Sequence, residues 1–289
     1  MSDWVSKHPI VLENVYFKRY IREVNIHFEE KLIHCIVGPN GSGKTTLLRL
    51  LVGLIKPSKG NIRVLGLDPF KYRGRFNNEV VAILEPQRLP SSVTVFEYLK
   101  HVASLCNADL KRLLELAEIF NLTRYMNFFI DHLSSGNIKK LLLLQSISIN
   151  PDVLILDEPT MHLDIDARMK TLDLLKKLKD GGTTIIISSH AFHDMEKIGD
   201  KIYIMSNGRI ISSGFLSTYL EKYAVAFSKK KPELRDESLY LTYYSGYYKI
   251  VGLKDFLTSH GFEVNPPSLT DIYEYMLYGG VRNKVSRAL

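Results

Sequence analysis

Apolar and polar positions along the chain fall into short strand-like runs interrupted by one long helical stretch. "PIVLENVYF" (9–17) and "REVNIHF" (22–28) alternate apolar and polar residues, which predicts two antiparallel strands joined by the tight connection "KRY". "KLIHCIVG" (31–38) is a continuous apolar run, the pattern of a buried strand. It leads straight into "PNGSGKTTLLRLLVGLI", a Gly-rich turn followed by a helix. "NIRVLG" and "VVAILEP" read as two more short strands. From Ser91 to about Leu144 the apolar spacing changes to three and four, as in "TVFEYLKHVASL" and "DLKRLLELAEIF", and predicts helices. Strands return in "DVLILDEP", "TTIIISSH", "DKIYIMSNG" and "RIISSG". The texture changes again from about Tyr223. "SKKKPELRDE" reads as a charged linker, and the tail after it predicts strand, turn, strand, helix and a further helix. The order is that of an α/β protein with a small α+β appendage.

Composition narrows this picture only slightly. A chain of 289 residues with 45% hydrophobic residues can bury one substantial core and leave room for a small second unit. Cys35 and Cys106 have no metal-ligand spacing, so a reduced cytoplasmic protein is expected and no disulfide framework. The N-terminus carries no apolar run of signal-peptide length, and nowhere do eighteen apolar residues follow one another. A formal net charge of +7 and a pI near 9.1 favour acidic partners such as a nucleotide, nucleic acid or an anionic membrane face. The charge is spread thinly, as ordinary surface lysine also is.

The strongest chemical signal is "GPNGSGKTT", which satisfies G-x-x-x-x-G-K-[ST] between a predicted strand and a predicted helix. Gly38, Pro39, Asn40, Gly41, Ser42, Gly43, Lys44, Thr45 and Thr46 are therefore the expected nucleotide-binding residues. Backbone N–H groups of such a loop curl around phosphate oxygens, and the helix that follows offers its positive end to the same anion. Lys44 is placed to reach the β- and γ-phosphates of ATP and Thr45 to ligate Mg²⁺. The second signal is "VLILDEP". A buried strand ending in Asp157 and Glu158 brings two carboxylates to the strand end where ligands bind in parallel sheets. Asp157 is expected to hold the metal and Glu158 to polarise the attacking water. Two acids at a strand tip are otherwise a solvated turn, a reading the complete phosphate loop disfavours.

With these motifs in order, residues 9–222 resemble the nucleotide-binding subunit of an ATP-binding cassette (ABC) protein. The resemblance implies a P-loop NTPase fold of that type: a mixed central sheet, an antiparallel β subdomain, a helical insert near 90–145, and a nucleotide-binding domain over 1–224 with an extension over 225–289. It also implies site residues. Gln87 in "LEPQRLP" matches the family's glutamine loop, which touches Mg²⁺ and the water. Asp164 in "MHLD" matches the loop that crosses to the partner subunit, and His190 in "SSHAFHD" matches the switch histidine. "LSSGN" stands where the family writes LSGGQ, so Ser134 and Gly136 are expected to close over ATP held by the opposite subunit. On its own this segment reads as a helix cap. Ser135 and Asn137 depart from the family pattern, and Ser135 would weaken closure if its position required a glycine-only conformation. Tyr16, Phe17 and Tyr20 compete to stack on adenine, with Tyr20 preferred because it lies nearest the turn. Lys31 replaces the usual glycine ahead of the third strand.

What the resemblance implies at the next level is a pair of ATPase subunits, homo- or heterodimeric, driving separate transmembrane permease subunits from the cytoplasmic face of the membrane. No nucleic-acid partner is expected. The tail phrase "NPPSLTDIYEYM" resembles the ending of ATPase subunits from ABC-2-type exporters, which makes export the expected direction. The alternatives are an importer subunit and a soluble ABC ATPase. A translation-type ABC protein carries two cassettes and a DNA-repair type a long coiled coil, and neither appears; an iron–sulfur assembly ATPase has no such tail, and the two cysteines give no cluster pattern.

Overall fold

In the computed structural model, residues 7–76, 78–86, 89–232 and 239–279 are described here. β1 (Ile10–Phe17) and β2 (Ile21–Phe28) form the expected antiparallel pair, and β4 (Lys59–Val64) lies on the other side of β1 to complete a three-stranded sheet. The larger sheet has six strands in the order β5 (Val80–Ile83), β6 (Val153–Asp157), β7 (Thr184–Ser189), β3 (Ile33–Val37), β8 (Lys201–Ser206) and β9 (Arg209–Phe215). All its neighbours run parallel except the last pair. β3, β6 and β7 are buried along their whole length, so they read as unbroken apolar runs rather than as alternation.

Alternate side chains of these strands feed two cores. Ile33, Cys35 and Val37 face the helical layer made by α3 (Val95–Leu105), α4 (Leu110–Ile119), α5 (Ser135–Ile149) and α6 (Ile165–Asp180). Ile36 faces α1 (Lys44–Leu51) and the three-stranded sheet. A single turn of helix, α2 (Pro69–Tyr72), follows β4. α3 opens on a capping box in which Thr94 and Glu97 bond reciprocally, the signal its sequence "TVFE" carries. α7 (Phe192–Ile198) follows β7 directly, and α8 (Leu216–Lys222) follows β9.

β10 (Tyr223–Ser228) pairs with β12 (Tyr247–Leu253) and β13 (Val264–Asn265), and β11 (Tyr240–Tyr244) flanks β12. The expected division at 224/225 thus falls inside a strand. The expected tail of strand, turn, strand and two helices is present, as β11, β12, α9 (Lys254–Ser259) and α10 (Leu269–Tyr278). The two-residue β13 was not foreseen. α10 packs back on α7: Leu269 N–H donates to Glu196 Oε2 at 2.9 Å, and the Tyr273 ring lies 4.7 Å from that of Phe192.

Candidate functional site

β3 ends at Val37, and the chain turns through residues 38–43 before α1 starts at Lys44. Gly43, the N-cap, has φ 109°, a conformation open to glycine alone, and a Cβ there would stand 2.8 Å from the Tyr20 carbonyl. A Cβ on Gly38 would overlap the Met205 carbonyl. These two glycines let the loop curl tightly against its neighbours. Pro39, Asn40 and Gly41 form an exposed rim, while Ser42 is buried and its Oγ has no hydrogen-bond partner in the fold. An orphaned hydroxyl beside the free N–H groups of a helix start fits a phosphate oxygen. Lys44 is 7% exposed, and its ammonium sits in the curl, donating to the carbonyls of Gly38 at 2.8 Å and Pro39 at 3.3 Å. Burial pulls the Lys44 pKa down, and Glu158 and Asp157 partly oppose this.

The two carboxylates lie beside that loop. Asp157 is 2% exposed; Thr45 Oγ1 donates to its Oδ2 at 2.7 Å, and the Ser188 hydroxyl donates to its Oδ1. Thr45 and Asp157 form a hard oxygen pair next to the phosphate loop, which suits Mg²⁺, an ion that completes its shell with phosphate and water oxygens. Among the described residues no group of three His, Cys, Asp or Glu is placed to hold a metal. Glu158 points the other way. His190 Nδ1 lies 2.8 Å from its Oε1, and Ser189 Oγ donates to its Oε2 at 3.1 Å. The Glu158 backbone is left-handed, φ 48°, a strained state for a non-glycine residue. That turn sends successive carboxylates in different directions, Asp157 towards Thr45 and Glu158 towards His190.

Loop, Lys44, Thr45, Asp157, Glu158 and His190 therefore converge at the C-terminal ends of β3, β6 and β7, where open parallel sheets bind ligands. Tyr20 stands at the edge of this group: its ring is 44% exposed while its carbonyl touches Gly43. Phe17 packs against the second core, Tyr16 lies under Lys59, and Tyr20 itself lies beside Arg19. Thr46 follows inside the first turn of α1. Gln87 lies outside the described residues.

Ser134, Gly136 and Asp164 make their contacts away from the loop. Ser134 caps α5 through Asn137 N–H at 3.3 Å, and Asp164 caps α6 through Ala167 N–H at 2.8 Å while holding Lys140 Nζ at 2.6 Å. These two bonds, the cap first, keep the Asp164 carboxyl below its usual pKa. A Cβ on Gly136 would come within 2.8 Å of the His162 carbonyl, so this glycine lets the start of α5 lie against the loop before α6. Ser135 is the first helical residue of α5 and lacks positive φ, so the serine is not forced into a glycine-only conformation. Lys31, by contrast, has a left-handed backbone, with φ 58°.

Several residues with structural claims on the site carry no motif. Asp194, buried on α7, accepts from Thr160 Oγ1 and from Arg168 Nε, each at 2.7 Å, and so ties the segment after His190 to α6. Lys139 is buried at the start of α5 and reaches the Asp157 carbonyl. The charged pair in "NIKKLLLL" was the available sign that a lysine enters the core there.

Among known proteins, the family described as ABC transporter matches residues 21–161. The Nod factor export ATP-binding protein I of Burkholderia orbicola (strain AU 1054) is 34% identical over 224 residues, covering 73% of this chain and 72% of that protein. An uncharacterized ABC transporter ATP-binding protein of Bacillus subtilis (strain 168), YhcH, is 32% identical over 203 residues, 70% of this chain and 67% of its own length. A solved ATP-binding subunit of an ABC transporter superimposes with a TM-score of 0.68 at 24% identity, over 73% of this chain and 91% of that one. With the phosphate loop, the acidic strand end and the histidine after β7 in one cluster, the chain belongs to the ABC transporter family as an ATP-binding ATPase subunit.

Proposed function

We propose that this subunit hydrolyses ATP at the Lys44–Asp157–Glu158–His190 cluster and drives export through separate transmembrane subunits. In this reading Lys44 and the loop N–H groups hold the β- and γ-phosphates, and Glu158 takes the proton of the attacking water. His190 orients that carboxylate and faces the γ-phosphate. Thr45 and Asp157, with Gln87, would hold Mg²⁺, which when bound neutralises charge developing on the phosphate oxygens. Tyr20 stacks on adenine. Ser134 and Gly136 of one subunit close over ATP on the other, with Asp164 at the seam, so that two subunits complete two sites. The observation that carries the chemistry is the 2.8 Å contact between Glu158 and His190 beside the phosphate loop.

Export is supported by the tail phrase around Pro267–Met276 and by a relative whose name states export. Residues 1–224 supply the engine and 225–289 an accessory extension. The assigned place of work is the cytoplasmic face of the membrane, bound to permease subunits; among the described residues no helix is long and apolar enough to cross the membrane itself. Light scattering of the purified chain tests the pairing: monomer without nucleotide and dimer with ATP are expected, and a nucleotide-independent dimer would contradict it. Direction is read in vesicles that expose this subunit outwards. ATP added outside should load cargo into the lumen, and ATP-driven loss of preloaded cargo would reverse the assignment.

A further inference from the structure

Lys139 is a strongly buried cation beside the site with no part in the proposed chemistry. It is 5% exposed, on the second turn of α5, and its ammonium makes two bonds: to Glu85 Oε1 at 2.9 Å and to the main-chain carbonyl of Asp157 at 3.2 Å. That carbonyl belongs to the peptide joining Asp157 to Glu158. The N–H of the same peptide donates to the Ser188 carbonyl at 2.9 Å. The peptide plane is thus pinned from both sides, and the residue that follows is Glu158 with φ 48°. A side-chain-bearing residue leaves such a conformation unless its surroundings hold it there. If the Asp157 carbonyl lost its donor, the peptide could rotate and Glu158 could relax, swinging its carboxylate away from His190 and Ser189. Glu85, half-exposed and two residues before Gln87, neutralises the lysine and aims it.

We propose that Lys139 is a positioning residue for hydrolysis. By clamping the Asp157–Glu158 peptide it holds Glu158 in the left-handed backbone from which the carboxylate meets His190. The inference rests on Glu158 being the general base. Its two bonds go to Glu85 and the Asp157 carbonyl, so it acts through the backbone of its neighbour.

The test is a double-mutant cycle on the full-length chain, with turnover and ATP affinity measured separately. Lys139→Met keeps the aliphatic stem and removes the donor. It is expected to lower kcat by roughly tenfold or more while the ATP Kd from calorimetry stays within about twofold. Lys139→Arg, which can still donate to the carbonyl, should recover much of the loss. In the Glu158→Gln background, Lys139→Met should have no further effect on residual turnover, because the residue it positions is already disabled. Glu85→Ala, at a half-exposed position, reads the same clamp should Lys139→Met fail to fold, and a smaller fall in kcat at unchanged ATP affinity is expected. Unchanged kcat in Lys139→Met, or in Glu85→Ala if that is the variant that folds, overturns the inference. So does an equal loss of turnover from Lys139→Met in both backgrounds, which is what general destabilisation gives. If Glu158→Gln alone turns over ATP at the wild-type rate, the general-base assignment fails first and the inference falls with it.

Discussion

Gly136→Ala isolates what the glycine in the first turn of α5 does in a single subunit. The added Cβ would stand 2.8 Å from the His162 carbonyl, well inside ordinary carbon–oxygen contact, and the obstacle is backbone rather than a movable side chain. His162 already has φ 66°, so the loop it belongs to has little freedom to yield without further strain. Forcing one methyl into such a contact costs about 1–3 kcal/mol. Gly to Ala inside a helix would otherwise stabilise by about 0.5–1 kcal/mol, so the midpoints of the two terms leave a net loss of about 1 kcal/mol. Urea unfolding of the nucleotide-free monomer measures it, as a lower midpoint with unchanged slope. The expectation differs from one in which Gly136 serves only the approach to the partner's ATP, since that would leave the isolated monomer untouched. A variant as stable as wild type without ATP would refute the packing argument, whatever its turnover.

Three further outcomes follow from the same geometry. Ser134→Ala removes the cap of α5 and should cost about 1 kcal/mol, whereas Ser135→Gly, at a helical position without positive φ, should leave turnover and stability nearly unchanged; a rise in turnover in Ser135→Gly would show strain that the backbone angles lack. Lys44→Ala should weaken ATP binding severely, because the loop loses the ammonium at its centre, and unchanged affinity by calorimetry would contradict the placement. Acid should destabilise the fold through His34, which burial holds at a pKa of about 4 against an ordinary 6.5, with Nε2 bonded to the Glu29 carbonyl and Nδ1 facing Tyr203. The unfolded chain takes up the proton first, so this stability is complete above about pH 6.5 and is lost as pH falls from there towards 4. Its slope is about 1.4 kcal/mol per pH unit, and a His34→Phe variant with the same pH profile as wild type would refute the assignment.

Much of this fold was legible because its strands and helices carry different periods. The buried strands at Ile33–Val37 and Val153–Asp157 announced themselves as apolar runs, and the loop between β3 and α1 by its glycines and Lys44. The pairing of β10 was not legible. "YAVAFS" is a short apolar run that either domain could use, and only its partners β12 and β13 decide. Within the site, Asp157 and Glu158 were found as a pair, yet the left-handed turn that divides their directions has no sequence sign, since glutamate seldom adopts it. Ser135 departs from the family pattern at a position that the structure places in the first helical turn without positive φ, so its backbone does not demand a glycine. Lys31 shows the reverse, a side chain in a left-handed backbone where the family pattern has a glycine. Lys139 and Asp194 were missed because their roles depend on long-range partners, Asp157 and Glu85 for one and Thr160 and Arg168 for the other.

The central claim is that Glu158 supplies the base for ATP hydrolysis in this cluster, and the turnover of Glu158→Gln measured beside its ATP affinity tests it most directly. The amide keeps the size of the side chain and leaves the loop, Lys44 and Asp157 in place, so ATP should bind as tightly as to wild type. Steady-state hydrolysis should fall to a small residual rate, and the ATP-bound dimer should accumulate in light scattering. Hydrolysis by Glu158→Gln at the wild-type rate, with binding intact, would contradict the account.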